Sequence, residues 1–284
     1  SANLTYITSE VVNENHAFEQ YDYLYHKGNK VNQCYGLEAI GFFENQMDIN
    51  NSPTQTFSQV RPGDVKYKDI SGPDGVPDGV IDDYDKTNIG SPMPKFTFGW
   101  TNTFRYKNFD LSVFINGSYG NKVYNYLSMK LTHMNSPWTN QLNAVNGRAQ
   151  LVPINPNKVY EDGTMWYNDV SNVMVANPGA SIPRATINDP NDNDRISDRY
   201  IEDGSYIRLK NISLGYTFPK KTIDKLGLSN LRIYANIQNL LTITGYDGYD
   251  PEIGASTSSV NVYGLDNGRY PSPTVYSFGL NVSF

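Results

Sequence analysis

The residues best suited to binding an ion lie between positions 69 and 85, in the run DISGPDGVPDGVIDDYD. Calcium takes six to eight oxygen ligands, and an acidic loop bent at glycine supplies them at short spacing. The second half of the run fits the D-G-x-I part of an EF-hand-like loop, with Ile81 as the anchor and Asp85 at the closing position. We therefore predict a structural calcium ion. Its candidate ligands are Asp69, Ser71, Asp74, Asp78, Asp82 and Asp85.

The first half of this run departs from the calcium-loop pattern. Counting back from Asp78 places Asp74 at the first ligand position but Val76 at the third, where an oxygen ligand belongs. The insertion at 72–77 either brings more distant oxygen atoms within reach of the ion or abolishes the site. The alternative interpretation is an acidic turn of Pro, Gly and Asp that holds no ion.

Three aromatic side chains in a long polar stretch are candidates for contact with a ligand. Trp138, Trp166 and Tyr167 all lie within 121–198, which is otherwise rich in Asn, Asp, Pro and Gly. Exposed aromatic faces can stack on sugar rings or pack against a protein partner. The alternative is a small core that these rings form within the stretch itself.

Other reactive residue types give no catalytic pattern. Cys34 is the only cysteine, so the chain has no internal disulfide, and we predict a small buried side chain. The histidines His16, His26 and His133 are far apart and lack the spacing of a metal site. No pair of carboxylates stands out as the acid and base of a glycosidase, and the run 246–252 is interpreted as a loop of turn residues. We predict that the chain is not an enzyme.

Composition limits the class of protein. The net charge of −6 and pI near 5.1 argue against a nucleic-acid partner, which requires a basic face. Mean hydropathy is −0.53 although only 18% of residues are charged, so uncharged polar residues supply the polarity. No stretch reaches the roughly eighteen apolar residues of a membrane helix. The chain begins SANL, without a signal peptide, as expected of a mature protein or a fragment.

Strands must position these residues, because apolar and polar side chains alternate in several windows. In 95–119, two alternating runs flank a two-residue turn at 107–108, which predicts a hairpin. The same alternation recurs in 211–218, 231–238 and 276–284. The apolar phase reverses at Ile207 and Leu209, which predicts a bulge or the exit from a membrane.

Long polar stretches and short turns fall on opposite sides of these strands. The long stretches are 44–94, 121–198 and 243–272. If Phe284 ends at the periplasm, the short turns 107–108 and 219–228 are periplasmic and every long stretch is external. This sorting favours an all-β, transmembrane antiparallel β-barrel with long extracellular loops. The alternative is a soluble β-sandwich or jelly roll, whose apolar face would point into a core.

The alternation also predicts which side chains face lipid. These are the even-numbered residues of 96–106 and 276–284 and the odd-numbered residues of 109–115 and 231–237. Aromatic residues at strand ends resemble an interfacial girdle. They are Phe96, Tyr106, Phe109, Tyr119 and Phe218.

Five segments resemble one known family, in the right order along the chain. They are 35–43 (YGLEAIGFF), 63–69 (GDVKYKD), 89–96 (IGSPMPKF), 106–112 (YKNFDLS) and 198–216 (DRYIEDGSYIRLKNISLGY). These segments resemble the SusC/RagA-type TonB-dependent outer-membrane transporters. The matches span nearly the whole chain, and together they are highly specific.

The resemblance implies that residues 1–284 are the C-terminal portion of one β-barrel domain of about 22 strands, whose plug, TonB box and early strands lie elsewhere. It also implies an outer-membrane location, a SusD-like surface lipoprotein as a lid, and TonB-powered import of oligosaccharides or peptides. Trp138, Trp166 and Tyr167 would then contact substrate or lid. About six strands would leave two edges exposed to lipid, so the segment cannot transport alone. The alternative function is a soluble or surface-attached β-sandwich that binds carbohydrate or acts as an adhesin.

Overall fold

The computed structural model describes residues 1–13, 27–31, 33–57, 59–253 and 264–284. The strands in these residues are β1 (Ala2–Tyr6), β2 (Cys34–Gly36), β3 (Ala39–Phe42), β4 (Thr54–Gln55), β5 (Val65–Tyr67), β6 (Val80–Ile81), β7 (Thr87–Gly90), β8 (Phe96–Tyr106), β9 (Phe109–Tyr119), β10 (Lys122–Tyr124), β11 (Leu151–Pro153), β12 (Val173–Val175), β13 (Ile201–Asp203), β14 (Tyr206–Thr217), β15 (Asn230–Thr244) and β16 (Val275–Ser283). The helices are α1 (Gln46–Asn50), α2 (Tyr126–Thr132) and α3 (Lys220–Ile223), with short 3-10 turns at Asp83–Asp85, Asn143–Gly147, Glu161–Gly163, Trp166–Asn168, Val170–Asn172, Asp198–Tyr200 and Asp224–Leu226. Strands predominate, as predicted, and no helix in these residues is long and apolar enough to cross a membrane.

A six-stranded antiparallel sheet is the framework of the fold. Its order is β1-β8-β9-β14-β15-β16, so each strand pairs with the next sheet strand along the chain. β8 and β9 form the predicted hairpin, joined by the two-residue turn at 107–108. The alternation does not predict β1, because five residues are too few to establish a period; it pairs with β8 from Ala2↔Trp100 to Tyr6↔Phe96. Within the described residues the sheet is open, with β1 and β16 as its edges.

One face of this sheet is apolar and uncovered. Directly opposed residues lie on the same face, and one such row across five strands is Phe104, Leu111, Leu214, Ala235 and Phe278. Phe278 is 84% exposed, and Phe104 and Leu214 are also exposed. The residues predicted to face lipid therefore share one face. A soluble sandwich needs a second sheet against that face, and the other sheets in the described residues have only two strands each.

Aromatic rings gather at both ends of the apolar face. At one end Tyr6 and Phe96 lie with ring centroids 5.3 Å apart. At the other end Tyr216 lies 4.7 Å from Phe109 and 5.0 Å from Phe218. The 11 residues of β8 span about 35 Å along the strand and about 25 Å at a tilt near 45°, the height of an apolar membrane band. The arrangement agrees with the predicted aromatic girdle.

A β-bulge explains the reversal of the apolar phase in β14. The register of β14 with both of its neighbours shifts between Leu209 and Asn211. Before the shift Leu209 lies opposite Leu241, and after it Ile212 lies opposite Ile237. The extra residues keep the apolar side chains on one face across the break. The predicted bulge is confirmed.

Three long connections leave the same end of the sheet. They are 7–95, 120–205 and 245–274, whereas the connections 107–108 and 218–229 at the opposite end are short. The predicted sorting of long and short connections is confirmed. The described residues of the three long connections are called the outer layer below.

The outer layer is folded rather than composed of extended loops. It contains the two-stranded ladders β2–β7, β3–β5, β4–β6, β10–β13 and β11–β12. Its apolar core consists of Leu37, Val65, Tyr67 and Ile81, all almost fully buried. The connections bind one another directly: Leu37 N donates to Ile196 O at 3.1 Å, and Tyr124 N donates to Gly264 O at 2.8 Å. All three connections therefore form one continuous layer.

Candidate functional site in the outer layer and on the polar face

A buried ion pair joins the first two long connections. Asp64, just before β5, is fully buried and accepts hydrogen bonds from Arg184 Nε at 2.7 Å and Nη2 at 3.4 Å. The same carboxylate accepts hydrogen bonds from Asn193 Nδ2 at 3.1 Å and from Arg61 N at 2.8 Å. A buried ion pair is favourable only when the remaining donors and acceptors are also matched. Asp64 meets that condition and fixes 120–205 against 7–95.

Two buried asparagines extend this network along the edge of β5. Asn193 Oδ1 accepts a hydrogen bond from Val65 N at 2.8 Å, and Asn191 Oδ1 accepts one from Gln55 Nε2 at 3.0 Å. Gln55 Oε1 accepts Tyr67 N at 3.0 Å. β5 pairs with β3 on one side, so these side chains satisfy backbone donors on the other side in place of a third strand.

His133 links the end of α2 to the segment that carries the two asparagines. Its Nε2 lies 2.7 Å from Asp189 Oδ2 and its Nδ1 lies 3.1 Å from Asp194 Oδ2. Burial alone would lower the pKa of His133, but hydrogen bonds to both carboxylates and their charges raise it to about 9. The hydrogen bond from His133 in turn holds the pKa of Asp194 far below its ordinary value. At neutral pH the ring is therefore an imidazolium clamped between two carboxylates.

The same three side chains are the one group of potential metal ligands that the described residues bring within 4.8 Å of one another. Sequence spacing does not reveal it, because Asp189 follows His133 by 56 residues. Both ring nitrogens already contact carboxylate oxygens, so the group acts as an ion-paired tie between α2 and the asparagine segment.

An arginine on the polar face of the sheet holds the third long connection. Arg208 is buried, and its guanidinium contacts Asp250 Oδ1 at 2.5 Å, Glu252 Oε2 at 2.7 Å and Thr242 Oγ1 at 2.8 Å. Burial alone would raise the pKa of Asp250, but two backbone N–H groups and the guanidinium lower it. The interpretation of 246–252 as a simple turn run is therefore incomplete. In the sequence, this contact with the third long connection is indicated by Arg208 itself, an arginine at a polar-face position of β14.

A second ion pair lies at the opposite end of the polar face. Arg232 on β15 reaches across β14 to Asp110 on β9, with Nε–Oδ1 and Nη2–Oδ2 distances of 3.1 and 2.5 Å. Gly215 lies opposite Asp110 in the register, and any Cβ there would collide with the Arg232 guanidinium. The glycine is therefore what allows the two charged groups to meet.

Asp85, the predicted closing ligand of the calcium loop, is buried and bonded to backbone. Its Oδ1 accepts Ile70 N at 2.7 Å and Ser71 N at 3.2 Å, and its Oδ2 accepts Asp82 N at 2.8 Å. These bonds tie the end of the loop to its beginning. Ile81 is fully buried in the apolar core, in the anchoring role predicted for it.

The remaining predicted ligands are spread along the loop. Asp69 Oδ2 accepts Gly79 N at 2.7 Å, while its Oδ1 is buried and has no hydrogen-bond partner. Asp74 and Asp78 are exposed. No three carboxylates of 69–85 come within 4.8 Å of one another. The calcium ion stays a prediction.

The three predicted contact aromatics do not form one patch. Trp138 is 92% exposed and makes no ring contact with the other two. Trp166 and Tyr167 pack edge to face, with ring centroids 5.9 Å apart. Tyr167 also lines a cavity of about 150 Å³ together with Arg61 and Arg184. Cys34 is partly buried in β2, and burial raises the pKa of its thiol.

Comparison with known proteins identifies relatives along almost the whole chain. TonB-dependent receptor P3 of Formosa agariphila is 32% identical over 277 residues, which cover 95% of this chain and 24% of that protein. TonB-dependent receptor SusC of Bacteroides thetaiotaomicron is 26% identical over 253 residues, covering 88% of this chain and 20% of that protein. No protein-family model matches the chain.

The fold has a counterpart in a solved structure. The structure of the RagAB peptide transporter superposes with a TM-score of 0.59 over 91% of this chain and 24% of that chain, at 18% identity. The chain thus spans about a quarter of the length of the proteins it matches. The motif resemblance is confirmed: the chain belongs to the SusC/RagA-type TonB-dependent receptors.

Proposed function

We propose that the complete protein imports a nutrient across the outer membrane in a TonB-dependent manner. The curated relatives are named as TonB-dependent receptors, and a solved structure of similar fold is a peptide transporter. In this proposal the six-stranded sheet is part of the wall of a barrel of about 22 strands. The outer layer then faces the outside of the cell.

One observation carries the proposal most strongly. The sheet has an uncovered apolar face with rings at both ends, and every long connection leaves it at one end. A barrel wall needs both features, because lipid covers the apolar face and the periplasmic turns are short. The alternative, a soluble carbohydrate-binding sandwich, needs a second sheet that the described residues lack.

We propose oligosaccharides or peptides as the substrate class and a SusD-like lipoprotein as the partner. Support comes from the relatedness to SusC and from the likeness to RagAB. Among the described residues of the outer layer, Trp138 offers the most exposed aromatic face, and Trp166 with Tyr167 offers a second. We assign these rings to contact with substrate or partner.

Uptake by cells tests the proposal. A strain without the gene should lose uptake of labelled oligosaccharides or peptides, and the complete gene should restore it unless an uncoupler collapses the proton gradient. Uptake that persists with the uncoupler would contradict TonB dependence. Co-purification of a surface lipoprotein with the complete receptor tests the partner.

Trp138→Ala tests the aromatic contact separately. Because the side chain is 92% exposed, its loss should leave the stability of the receptor unchanged to within about 0.5 kcal/mol. Reduced uptake or weaker lipoprotein binding is expected. Exposed Tyr84→Ala is the matched control. Equal behaviour of the two variants in both assays would remove Trp138 from the contact surface.

We also propose that the loop 69–85 binds a structural calcium ion. Support comes from the buried, unpartnered Oδ1 of Asp69 and from the exposed carboxylates of Asp74 and Asp78 on the same loop. Calcium should slow proteolysis within 69–85 of the complete receptor, and Asp78→Asn should abolish that protection. Asp83→Asn, which removes a largely exposed carboxylate, is the control. Identical cleavage in excess calcium and in chelator would exclude the site.

A further inference from the structure

A cavity with three lysines lies where the end of β1 meets the outer layer. Its volume is about 250 Å³. The described residues that line it include Ser9, Lys30, Gly90, Ser91, Lys95, Gly120 and Lys122. This volume is below the roughly 300–1,000 Å³ of sites for drug-sized ligands. The cavity is therefore suited to a small group.

The charge of the described lining is positive, although the chain carries a net charge of −6. No carboxylate is among its described lining residues. Lys30 and Lys95 make no ion pair with any residue that the structure describes. Among the described residues, the ion-pair partner of Lys122 is Asp203, at 3.9 Å, and the two side chains are 41% and 56% exposed. Three cations in one concavity raise the local positive potential and attract an anion.

Two glycines shape the cavity by allowing lysine side chains to lie flat on the backbone. A Cβ at Gly120 would approach Lys95 Cγ to 3.0 Å, and a Cβ at Gly90 would approach Lys122 Cγ to 2.8 Å. Both glycines have positive φ, 83° and 150°. Backbone bonds fix the lysine positions, since Lys95 N donates to Tyr119 O at 2.9 Å and Lys122 N donates to Ser91 O at 2.7 Å.

Two hydroxyl groups add neutral donors. Ser9 Oγ accepts Val31 N at 3.3 Å, and Ser91 Oγ accepts Met93 N at 3.2 Å. Each hydroxyl oxygen is thus held by a backbone N–H, and its own hydrogen remains available to an anion. Ammonium and hydroxyl donors together suit an oxygen-rich dianion.

We propose that this cavity binds a phosphate group. Lysine commonly binds phosphate as a point charge. Three lysines carry more positive charge than a single carboxylate could neutralise, so a doubly charged phosphate is the better match. The phosphate can belong to a glycolipid headgroup or be free in solution. In the proposed barrel the position favours the headgroup, because Ile7 in the cavity follows Tyr6, whose ring packs on Phe96 at the aromatic end of the apolar face.

The test uses the complete receptor with the variant Lys30→Gln/Lys95→Gln. In detergent without phosphate, calorimetric titration with inorganic phosphate measures the free anion. In phosphatidylcholine nanodiscs with or without a bisphosphorylated lipid A, native mass spectrometry measures the retained glycolipid. In at least one arm the double variant should bind about tenfold more weakly.

The control variant is Lys107→Gln/Lys220→Gln, which removes the same charge from exposed positions at the opposite end of the strands. Loss only in the nanodisc arm supports a glycolipid phosphate, and loss only in the titration supports free phosphate. If the cavity variant and the control bind equally in both arms, the proposal is overturned. An unchanged heat-modifiable band on gels verifies that each variant is folded.

Discussion

The sheet and the outer layer are built by opposite means. In the sheet, apolar side chains form one uncovered face, and backbone hydrogen bonds between neighbouring strands hold the strands together. In the outer layer, a small apolar core adjoins buried charges and amides, among them Asp64, Arg184 and Asn193. In the proposed barrel, lipid covers the apolar face of the sheet, whereas the outer layer depends on buried polar groups that satisfy one another.

The difference predicts which kind of substitution damages each region. A charge placed on the apolar face of the sheet meets lipid and has no partner. A charge removed from the layer leaves its buried partner unsatisfied. Each region should therefore tolerate the change that disrupts the other.

Asp64→Ala should have the largest effect. It leaves Arg184 buried without its ion pair, at a cost of about 3–5 kcal/mol to the layer. Hydrogen exchange of 59–67 and 181–199 in the complete receptor should accelerate, while the strands of the sheet stay protected. Asp83→Ala, whose side chain is 87% exposed, is the control. Equal exchange in both variants would mean that the buried network does not hold the layer.

Leu280→Arg should give the next largest effect, in the sheet. Leu280 is exposed on the apolar face of β16, so an arginine there should cost about 2–4 kcal/mol near the membrane centre. Ser277→Arg, on the polar face of the same strand, should cost much less. Urea unfolding of the complete receptor in lipid measures both. If the two variants unfold at the same urea concentration, the assignment of the faces is wrong.

Raising the pH should loosen the layer without affecting the sheet. The pKa of His133 is about 9 in the folded chain against an ordinary 6.5. The stabilisation by its ion pairs is therefore complete below pH 6.5 and is lost as the pH rises through 9, at most about 3 kcal/mol. Exchange rates of 126–133, corrected for intrinsic pH dependence, should rise across that range.

His133→Gln provides the matched control for this prediction. Glutamine retains hydrogen-bond donors but does not titrate, so the variant should lose the pH dependence of exchange in 126–133. If the variant loosens with pH as the wild type does, another group is responsible.

The sequence predicts the sheet well because the information is local. Alternation over about ten residues marks the hairpin 95–119, and the phase reversal at Ile207 and Leu209 marks the bulge. β1 is missed because five residues carry no clear period. The apolar face, the hairpin turn and the sorting of connections all follow from patterns within neighbouring residues.

The outer layer is not predictable in the same way, because its contacts join distant residues. Arg184 lies 120 residues from Asp64, and Asn193 lies 128 residues from Val65. Nothing in the spacing of these residues indicates that they meet. The three predicted contact aromatics share one stretch, yet the structure separates Trp138 from the edge-to-face pair of Trp166 and Tyr167. Composition marks the stretch as polar and leaves its pairing unspecified.

The ion pair between Asp110 and Arg232 tests whether charged groups on the polar face of the sheet behave like the buried network of the outer layer or like a surface ion pair. Its side chains are 31% and 26% exposed, between the buried pair of the layer and a surface pair. Gly215→Ala should push the Arg232 guanidinium off Asp110 and cost about 1 kcal/mol, as a half-exposed pair would. Arg232→Ala should cost a similar amount. In the Arg232→Ala background, Gly215→Ala should cost less than in the wild type, because the guanidinium is gone and the new Cβ meets Asp110 Oδ1, at 2.6 Å, at the end of a side chain that can move. Gly279→Ala, which meets the Tyr234 ring and no ion pair, is the control in the same urea unfolding assay.

Additive effects of Gly215→Ala and Arg232→Ala would show that the glycine does not act through the ion pair. A cost near 3–5 kcal/mol would instead place the polar face with the buried network of the outer layer.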